Sequence, residues 1–376
     1  MESKRHQARI LTAYYRPKPG GLCRRYFRLI RALLAAGHSV DYVAVKAFPI
    51  THPRCTFHRL PWPEHWRTAG PVFWVWLHLA CMARLLSVAR TLRPTHLFSF
   101  SINYGALMQP ARLITGARYS IFLRADSLRN NRYKGHGRVI LALEWLVERM
   151  SLRNAHLYCV SRALLRDVRG RHRGARLASF GVLPNDVVAR PAQLQAPRSP
   201  VLRVAVAGVL EPRKNVELAL KVAQLCAGQG ISWSIFGDGP DRRRLEDLAA
   251  SLGLRECVAF LGWQDLGEAW PSIDVLVHPS VHEGAPNVVL EALGAGVMVL
   301  ASDIPEHAEL LGSPLLLDLN EPEAWARALR NIQADDACAD AVRSAVQAAG
   351  RKLSFDWNRQ AADAVLGPDF ARDAAE

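Results

Sequence analysis

The 376 residues are too many for one ordinary domain and suit two, and half of them are hydrophobic, enough for each half to bury a core. Seven cysteines at scattered spacings argue against a disulfide framework or a zinc site, and Met1–His6 contains no apolar leader, so a reducing cytoplasmic setting is expected. The net charge of +14 is divided unevenly: residues 1–190 hold 32 Lys and Arg against 8 Asp and Glu (net +24), and residues 191–376 hold 16 against 26 (net −10). A basic half and an acidic half suggest two domains with different partners. The arginines fall on amphipathic helices without a nucleic-acid module, which disfavours nucleic acid. An anionic bilayer surface, or an arginine-rich proteome, accounts for the bias.

Ala8 to Ala13 reads as a first strand and Val40 to Val45 as a second. Between them lie Tyr14-Tyr15-Arg16-Pro17-Lys18-Pro19-Gly20-Gly21 and a helix from Leu22 to about Ala36, closed by Gly37. This is a βαβ unit with Gly20 and Gly21 at a helix start. Arg16 and Lys18 either bring charge to a ligand there or stand solvated. Residues 52–66, rich in proline, histidine and tryptophan, read as a surface connection. Pro71 to Ala83 is the most apolar segment and falls short of the ~20 residues a spanning helix needs. A packed helix ending near Arg90 is the main expectation. The alternative is an interfacial helix with Arg84, Arg90 and Arg93 near lipid headgroups.

His96–Ser101 and Tyr119–Leu123 are the next expected strands. The latter runs into Arg124-Ala125-Asp126-Ser127, and loops at strand C-termini face the crevice of an open α/β sheet, so Arg124 and Asp126 are candidate site residues. A basic loop, Asn130 to His136, and a helix through Glu144 and Glu148 follow. Strand Ala155–Val160 then leads to Ser161, which reads as a helix N-cap. The domain boundary is expected after Val182–Val187, with the proline-containing stretch Ala189–Pro200 as linker. The second half opens with strand Leu202–Ala207, the turn Gly208 to Asn215, and a helix through Leu218 and Val222. Arg213 and Lys214 stand where strand gives way to helix. Adjacent cations there suit a diphosphate, Arg as a fork and Lys as a point charge, although a solvated basic pair would look the same. Ser232–Phe236 enters the turn Gly237-Asp238-Gly239-Pro240, Val258–Leu261 precedes Gly262 and Trp263, and Val297–Ala301 precedes a helix around Glu306–Leu311.

The stretch on which the function turns runs from His278 to Gly296, after the apolar strand Val275–Val277. Glu283 lies in its loop and Glu291 about a turn and a half inside a helix that is expected to start with Pro286 at its first position. Between the two carboxylates, the amides of Asn287, Val288 and Val289 are expected to point, free, out of the helix N-terminus, where phosphate is favoured. Carboxylates around an anion hole suit a ligand with hydroxyls at both ends and phosphates between, as in a nucleotide sugar. Two glutamates in an ordinary strand-loop-helix would be weak evidence without the Gly-x-Pro-Asn insert and the small residues Ala292 to Gly296.

That pattern, Pro-Ser-x-x-Glu-Gly-x-Pro-Asn-x-x-x-Glu-Ala, resembles the donor-site motif of the retaining GT-B glycosyltransferases, glycosyltransferase family 4 in particular. The resemblance implies an α/β GT-B fold, two Rossmann-like domains facing each other across a cleft. Residues 1–188 would bind acceptor, 189–354 donor, and a helical tail, 355–376, would cross back to the first domain. It implies metal-independent, retaining transfer from a nucleotide sugar to a cytoplasm-facing glycan or lipid-linked acceptor, such as a polysaccharide or lipopolysaccharide precursor. No cofactor and no nucleic-acid partner are expected. The enzyme would be cytoplasmic or peripheral on the inner face of the cell membrane. The implied catalytic residues are Glu283, Arg213, Lys214 and Asp126. Donor contacts would come from Gly20, Gly21, Gly208, Arg213, Lys214, Trp263, Gln264, Glu283, Gly284, Ala285, Pro286, Asn287, Val288, Val289 and Glu291, with Glu283 on the sugar and Glu291 on the ribose. Arg16, Arg124, Asp126 and His136 are acceptor-side candidates. The chain departs from the family in lacking a histidine after the Tyr119–Leu123 strand, in reading Pro184-Asn185-Asp186-Val187 where relatives have Pro-Asn-Gly-Val, and in Val297-Met298 where they often have Pro-Val. A nucleotide-sugar epimerase, a GT-B phosphorylase, and a non-enzymatic basic membrane-surface or nucleic-acid-binding protein are the rival readings.

Overall fold

The computed structural model describes residues 7–17, 21–62, 71–133, 135–188 and 200–367. The chain divides into two compact units: Met1–Pro184 with Asp356–Glu376, and Asn185–Phe355.

The first unit alternates strand and helix: β1 (Arg9–Ala13), α1 (Gly21–Ala35), β2 (Ser39–Ala44), β3 (Cys55–Arg59), α2 (Pro71–Leu92), β4 (His96–Ser99), α3 (Ile102–Thr115), β5 (Arg118–Leu123), α4 (Ser127–Tyr133), α5 (Arg138–Leu152), β6 (His156–Cys159), α6 (Arg162–Arg171) and β7 (Ser179–Val182). The strands form one parallel sheet in the order β3-β2-β1-β4-β5-β6-β7. Central strands are buried on both faces, which is why β1, β4 and β5 read as apolar runs. The edge strands were invisible to that criterion. β3, inside the expected surface connection, is half-exposed, with His58 Nε2 2.7 Å from Asp41 Oδ1, and β7 is a four-residue edge carrying Gly181. A helix, α4, also replaces most of the expected basic loop, because Asp126 Oδ1 accepts from the Arg129 amide at its start (3.0 Å). Ser161 caps α6 by accepting from Leu164 N (3.1 Å), as its position predicted.

α2 buries Phe73, Leu77, Cys81 and Leu85, spaced four apart, so one stripe of it packs against the core, while Val75 and Leu79 are exposed. Its stretch Val75–Leu92 is long and apolar enough to cross a membrane by composition, yet that buried stripe is already used by the core.

The second unit contains β8 (Leu202–Ala207), a 3₁₀ turn at Pro212–Lys214, α7 (Val216–Leu225), β9 (Ile231–Phe236), α8 (Arg242–Ser251), β10 (Val258–Gly262), α9 (Leu266–Ala269), β11 (Val275–His278), α10 (Asn287–Ala295), β12 (Met298–Ser302), α11 (Pro305–Ala308), β13 (Leu316–Leu317), α12 (Pro322–Ala334) and α13 (Asp336–Lys352). Its parallel sheet has the order β10-β9-β8-β11-β12-β13. Arg203 holds β8 to the start of β11 through a fork on Asp274, Nη2–Oδ1 2.7 Å and Nε–Oδ2 3.0 Å. The turns after β8 and β9 press together so closely that a Cβ on Gly237 (φ +132°) would lie 1.8 Å from Gly208 O. Only glycine fits there.

α14 (Trp357–Leu366) follows the second unit in sequence but belongs to the first. Trp357 is fully buried, with the guanidinium groups of Arg25, Arg28 and Arg124 5.4–5.8 Å from its ring. The last turn of α14 accepts hydrogen bonds from the first sheet: Ser120 Oγ donates to Ala364 O (2.9 Å) and Arg118 Nε to Val365 O (3.2 Å).

Candidate active site

In a doubly wound sheet, ligands bind beyond the strand C-termini where the strand order reverses. In the second unit that point lies between β8 and β11, with β12 next to β11. The loops after these strands carry the best candidate residues, and a backbone bond from Val281 N to Arg213 O (2.8 Å) ties the first two loops together. Gly208 (φ +147°) leaves room for the Lys214 stem, whose Cε would be 3.3 Å from a Cβ there.

Glu283, 6% exposed, is the centre of the site. Its Oε1 accepts from Lys214 Nζ at 2.5 Å and from His278 Nε2 at 3.0 Å, and its Oε2 from Arg213 Nη1 at 3.3 Å. Arg213 is also paired with Glu211. Behind this lies a second layer. His278 Nε2 is 3.2 Å from Ser280 Oγ, Ser302 Oγ donates to Ser280 O (2.5 Å), and His307 Nδ1 is 2.9 Å from Ser302 O. A carbonyl only accepts, so Nδ1 of His307 carries the proton and Nε2 is a bare acceptor, buried without a hydrogen-bond partner.

Burial pushes the Glu283 carboxyl up, but Lys214, the His278 hydrogen bond and Arg213 outweigh it and hold the group well below the ordinary carboxylate range. Burial, reinforced by Lys214, lowers His278 despite its contact with Glu283. His278 is therefore neutral at pH 7 and acts on Glu283 as a donor, while the two cations supply the charge. Burial and the neighbouring His278 push His307 down to about 3. The ligating atoms of His278, Glu283 and His307 lie within 4.8 Å of one another, close enough to share a cation. A divalent ion there would meet Lys214 and Arg213 at hydrogen-bond distance from its own carboxylate ligand, so the electrostatics oppose it.

Thus Gly208, Arg213, Lys214 and Glu283 come together. Glu291 is the fifth residue of α10, partly exposed. The start of that helix corrects the expectation of three free amides. Pro286 is the N-cap, not the first helical residue, and its φ −75°, ψ 76° make an inverse γ-turn. The Asn287 amide consequently donates to Ala285 O (2.8 Å) and that of Val289 to Pro286 O (3.0 Å). Gly284 and Ala285 form the half-buried loop before the turn, and Val288 lies in the first turn of the helix. Trp263 and Gln264 follow β10 on the surface, Trp263 71% exposed. Gly20 and Lys18 lie outside the described residues; Gly21 is the first residue of α1 and Arg16 precedes that gap. In the first unit Arg124 is buried beside Trp357, donating to Leu183 O (3.2 Å). Asp126 is ion-paired to Arg171 (2.6 Å) while holding the start of α4, and His136 sits on an exposed turn.

Sequence reasoning gave no role to His278, Ser280, Ser302, His307 or Asn185. Asn185 Nδ2 donates to Asn287 Oδ1 (2.7 Å), fastening the first residue of the second unit to the start of α10. A His-x-Ser that starts on the last residue of β11, and a serine ending β12 with a histidine five residues on, are signals that polar groups collect at these strand ends.

Residues 202–335 match the family described as Glycosyl transferases group 1. The chain is 32% identical over 149 residues to the lipopolysaccharide core biosynthesis glycosyltransferase LpsE of Rhizobium meliloti, 39% of this chain and 43% of that protein. It is 28% identical over 187 residues to the putative colanic acid biosynthesis glycosyltransferase WcaL of Salmonella typhimurium, 46% of this chain and 45% of that protein. The chain spans less than half the length of these curated relatives. Among solved structures it is similar to sucrose-phosphate synthase from Thermosynechococcus elongatus, with TM-score 0.75 and 20% identity over 98% of this chain and 100% of the other. It is likewise similar to HepE of Anabaena in complex with UDP and glucose (0.72, 17%, 95% and 99%) and to WaaG, a glycosyltransferase involved in lipopolysaccharide biosynthesis (0.70, 16%, 96% and 100%). The fold, two parallel-sheet Rossmann-like domains, is that of GT-B glycosyltransferase structures.

Proposed function

We propose that the protein is a retaining, metal-independent glycosyltransferase that moves a sugar from a nucleotide sugar to a glycan or lipid-linked acceptor at the cytoplasmic face of the membrane, in polysaccharide or lipopolysaccharide assembly. One observation carries the reading: two cations, Arg213 and Lys214, converge on a buried carboxylate at the switch point of a Rossmann-like sheet. The residues concerned lie inside the segment that matches glycosyl transferases group 1.

Without donor, Glu211 pairs with Arg213, and Glu283 with both cations. An arriving diphosphate offers them a doubly charged partner, and the carboxylate is released to accept from hydroxyls of the donor sugar. Arg213 and Lys214 then stabilise the charge that develops on the leaving diphosphate, the task a divalent ion performs in other sugar transferases. His278 and the Ser280–Ser302–His307 layer keep Glu283 in place as its partners change. Retention, by same-face attack assisted by the leaving phosphate, follows from the family resemblance, and so does the role of Glu291 on the ribose. The basic first half and the names of the relatives favour an anionic or lipid-linked acceptor.

The test is a thermal-shift panel of UDP-, GDP- and ADP-sugars on wild type and Glu291→Ala, beginning with UDP-glucose. A donor at 100 times its dissociation constant adds about 2.7 kcal/mol of stability. A shift with one base class that the variant loses supports the donor site. No shift from any nucleotide sugar on folded protein overturns it. Product anomeric configuration, read by NMR, and activity in the presence of chelator test retention and metal independence.

A further inference from the structure

Arg213 is held by two carboxylates, Glu283 and Glu211. Glu211 Oε1 accepts from Arg213 Nε, and Glu283 Oε2 accepts from Nη1 (3.3 Å). Among the described residues the third nitrogen, Nη2, has no hydrogen-bond partner. A guanidinium carries its five N–H donors in one plane, so fixing Nε on one side leaves the Nη1–Nη2 end facing away from that partner. The side chains of Glu211 and Arg213 are 18 and 22% exposed, so this end of the guanidinium is within reach of a ligand.

The turn does not need the Glu211 carboxylate for its own shape. Glu211 precedes the 3₁₀ turn Pro212–Lys214 in extended backbone, and its side chain makes no capping bond. The backbone closes the turn instead, with Lys214 N donating to Glu211 O (2.9 Å). The carbonyl of Arg213 is fixed separately by Val281 N (2.8 Å). The carboxylate of Glu211 is therefore free to orient the far end of the Arg213 side chain while the near end is held by the loops.

We propose that Glu211 is a positioning residue for Arg213: it keeps Nε when an arriving diphosphate draws Nη1 away from Glu283, so that Nη1 and Nη2 meet the phosphate as a fork. Bidentate pairing of a guanidinium is stronger than a single bond to it. Without Glu211, Arg213 can turn its Nε side onto Glu283 and pair with it twice. The diphosphate then has two charged bonds to displace where it now has one. The proposal rests on the donor-site reading, because it requires a diphosphate at Arg213.

The test uses the full chain and inorganic pyrophosphate, which contains the diphosphate and no base or sugar, with affinity read by calorimetry. Glu211→Gln and Glu211→Met have the same charge and nearly the same volume, and only the first retains an oxygen to accept from Nε. The methionine form should bind pyrophosphate about ten-fold more weakly than the glutamine form, the scale of one hydrogen bond to a charged group. With Arg213→Ala added, the two forms should bind alike, because the difference acts through Arg213. Nitrogen-15 spectra supply a readout that a structural role would not move. The Arg213 Nε–H signal, identified by its loss in Arg213→Lys, should stay protected from exchange through pyrophosphate saturation in wild type and Glu211→Gln, and lose that protection in Glu211→Met. Equal affinity of the glutamine and methionine forms, or a difference that persists without Arg213, overturns the proposal and leaves the donor site standing. A wild type that does not bind pyrophosphate removes the donor-site reading and this proposal with it.

Discussion

At the scale of single residues, Glu283 and its cations decide the behaviour of the site. Lys214→Met leaves a buried carboxylate with one cation fewer and should destabilise the second unit by about 3 kcal/mol in chemical denaturation, since breaking a buried pair exposes its desolvation cost. The same change should lower kcat by about 10²–10³-fold if Lys214 meets the leaving diphosphate. Protonation gives a separate test. Glu283 is held low, so its stabilisation is present above about 4.5 and lost as pH falls below that. His307 titrates near 6.5 unfolded and about 3 folded, so its stabilisation is full above 6.5 and erodes between 6.5 and 3; that of His278, also lowered, is likewise lost as pH falls below 6.5. Protection factors of the β11 and β12 amides, corrected for intrinsic exchange at each pH, should therefore fall below pH 6.5 and fall more steeply below 4.5. His307→Asn, which retains a donor for Ser302 O, should make the first phase shallower. An unchanged profile in that variant would remove His307 from the account.

At the scale of elements, the turns after β8 and β9 are the tightest joint near the site. Gly237→Ala places a methyl inside van der Waals contact with Gly208 O at a positive φ, and the turn that seats Lys214 must shift. A melting temperature lower by at least 5 °C is expected, on the scale of about 1 kcal/mol per 2–8 °C for domains of this size. These joints also explain what was legible. Strands buried on both faces, such as β8 with Val204, Ala205 and Val206, and the cap at Ser161 could be read because burial and N-caps leave local marks. The edges β3 and β7 left none, because a strand paired on one side needs few apolar residues. The glutamate and the cation pair were legible as types, but not their mutual contact, since residues 213 and 283 meet only once β8 and β11 pair. The amides of Asn287 and Val289 were misread as free because the conformation of Pro286 closes a turn that propensity at the first helical position does not reveal.

At the scale of the whole chain, the second unit is a single continuous stretch, whereas the first is assembled from two segments. Trp357→Ala should cost about 3–5 kcal/mol in the first unit by opening a cavity among Arg25, Arg28 and Arg124. The second unit's nucleotide-sugar shift should survive, and calorimetry would then resolve two transitions where their stabilities separate. α14 also carries a consequence for synthesis. The first sheet emerges from the ribosome well before the helix that covers β4 and β5, and it waits incomplete through the translation of the entire second unit. That unit needs nothing downstream of Phe355 and can fold in the meantime. The domain nearer the start of the chain is therefore the later one to be finished, and a nascent chain stalled or clipped between Phe355 and Trp357 would present a complete second unit joined to an unsealed sheet.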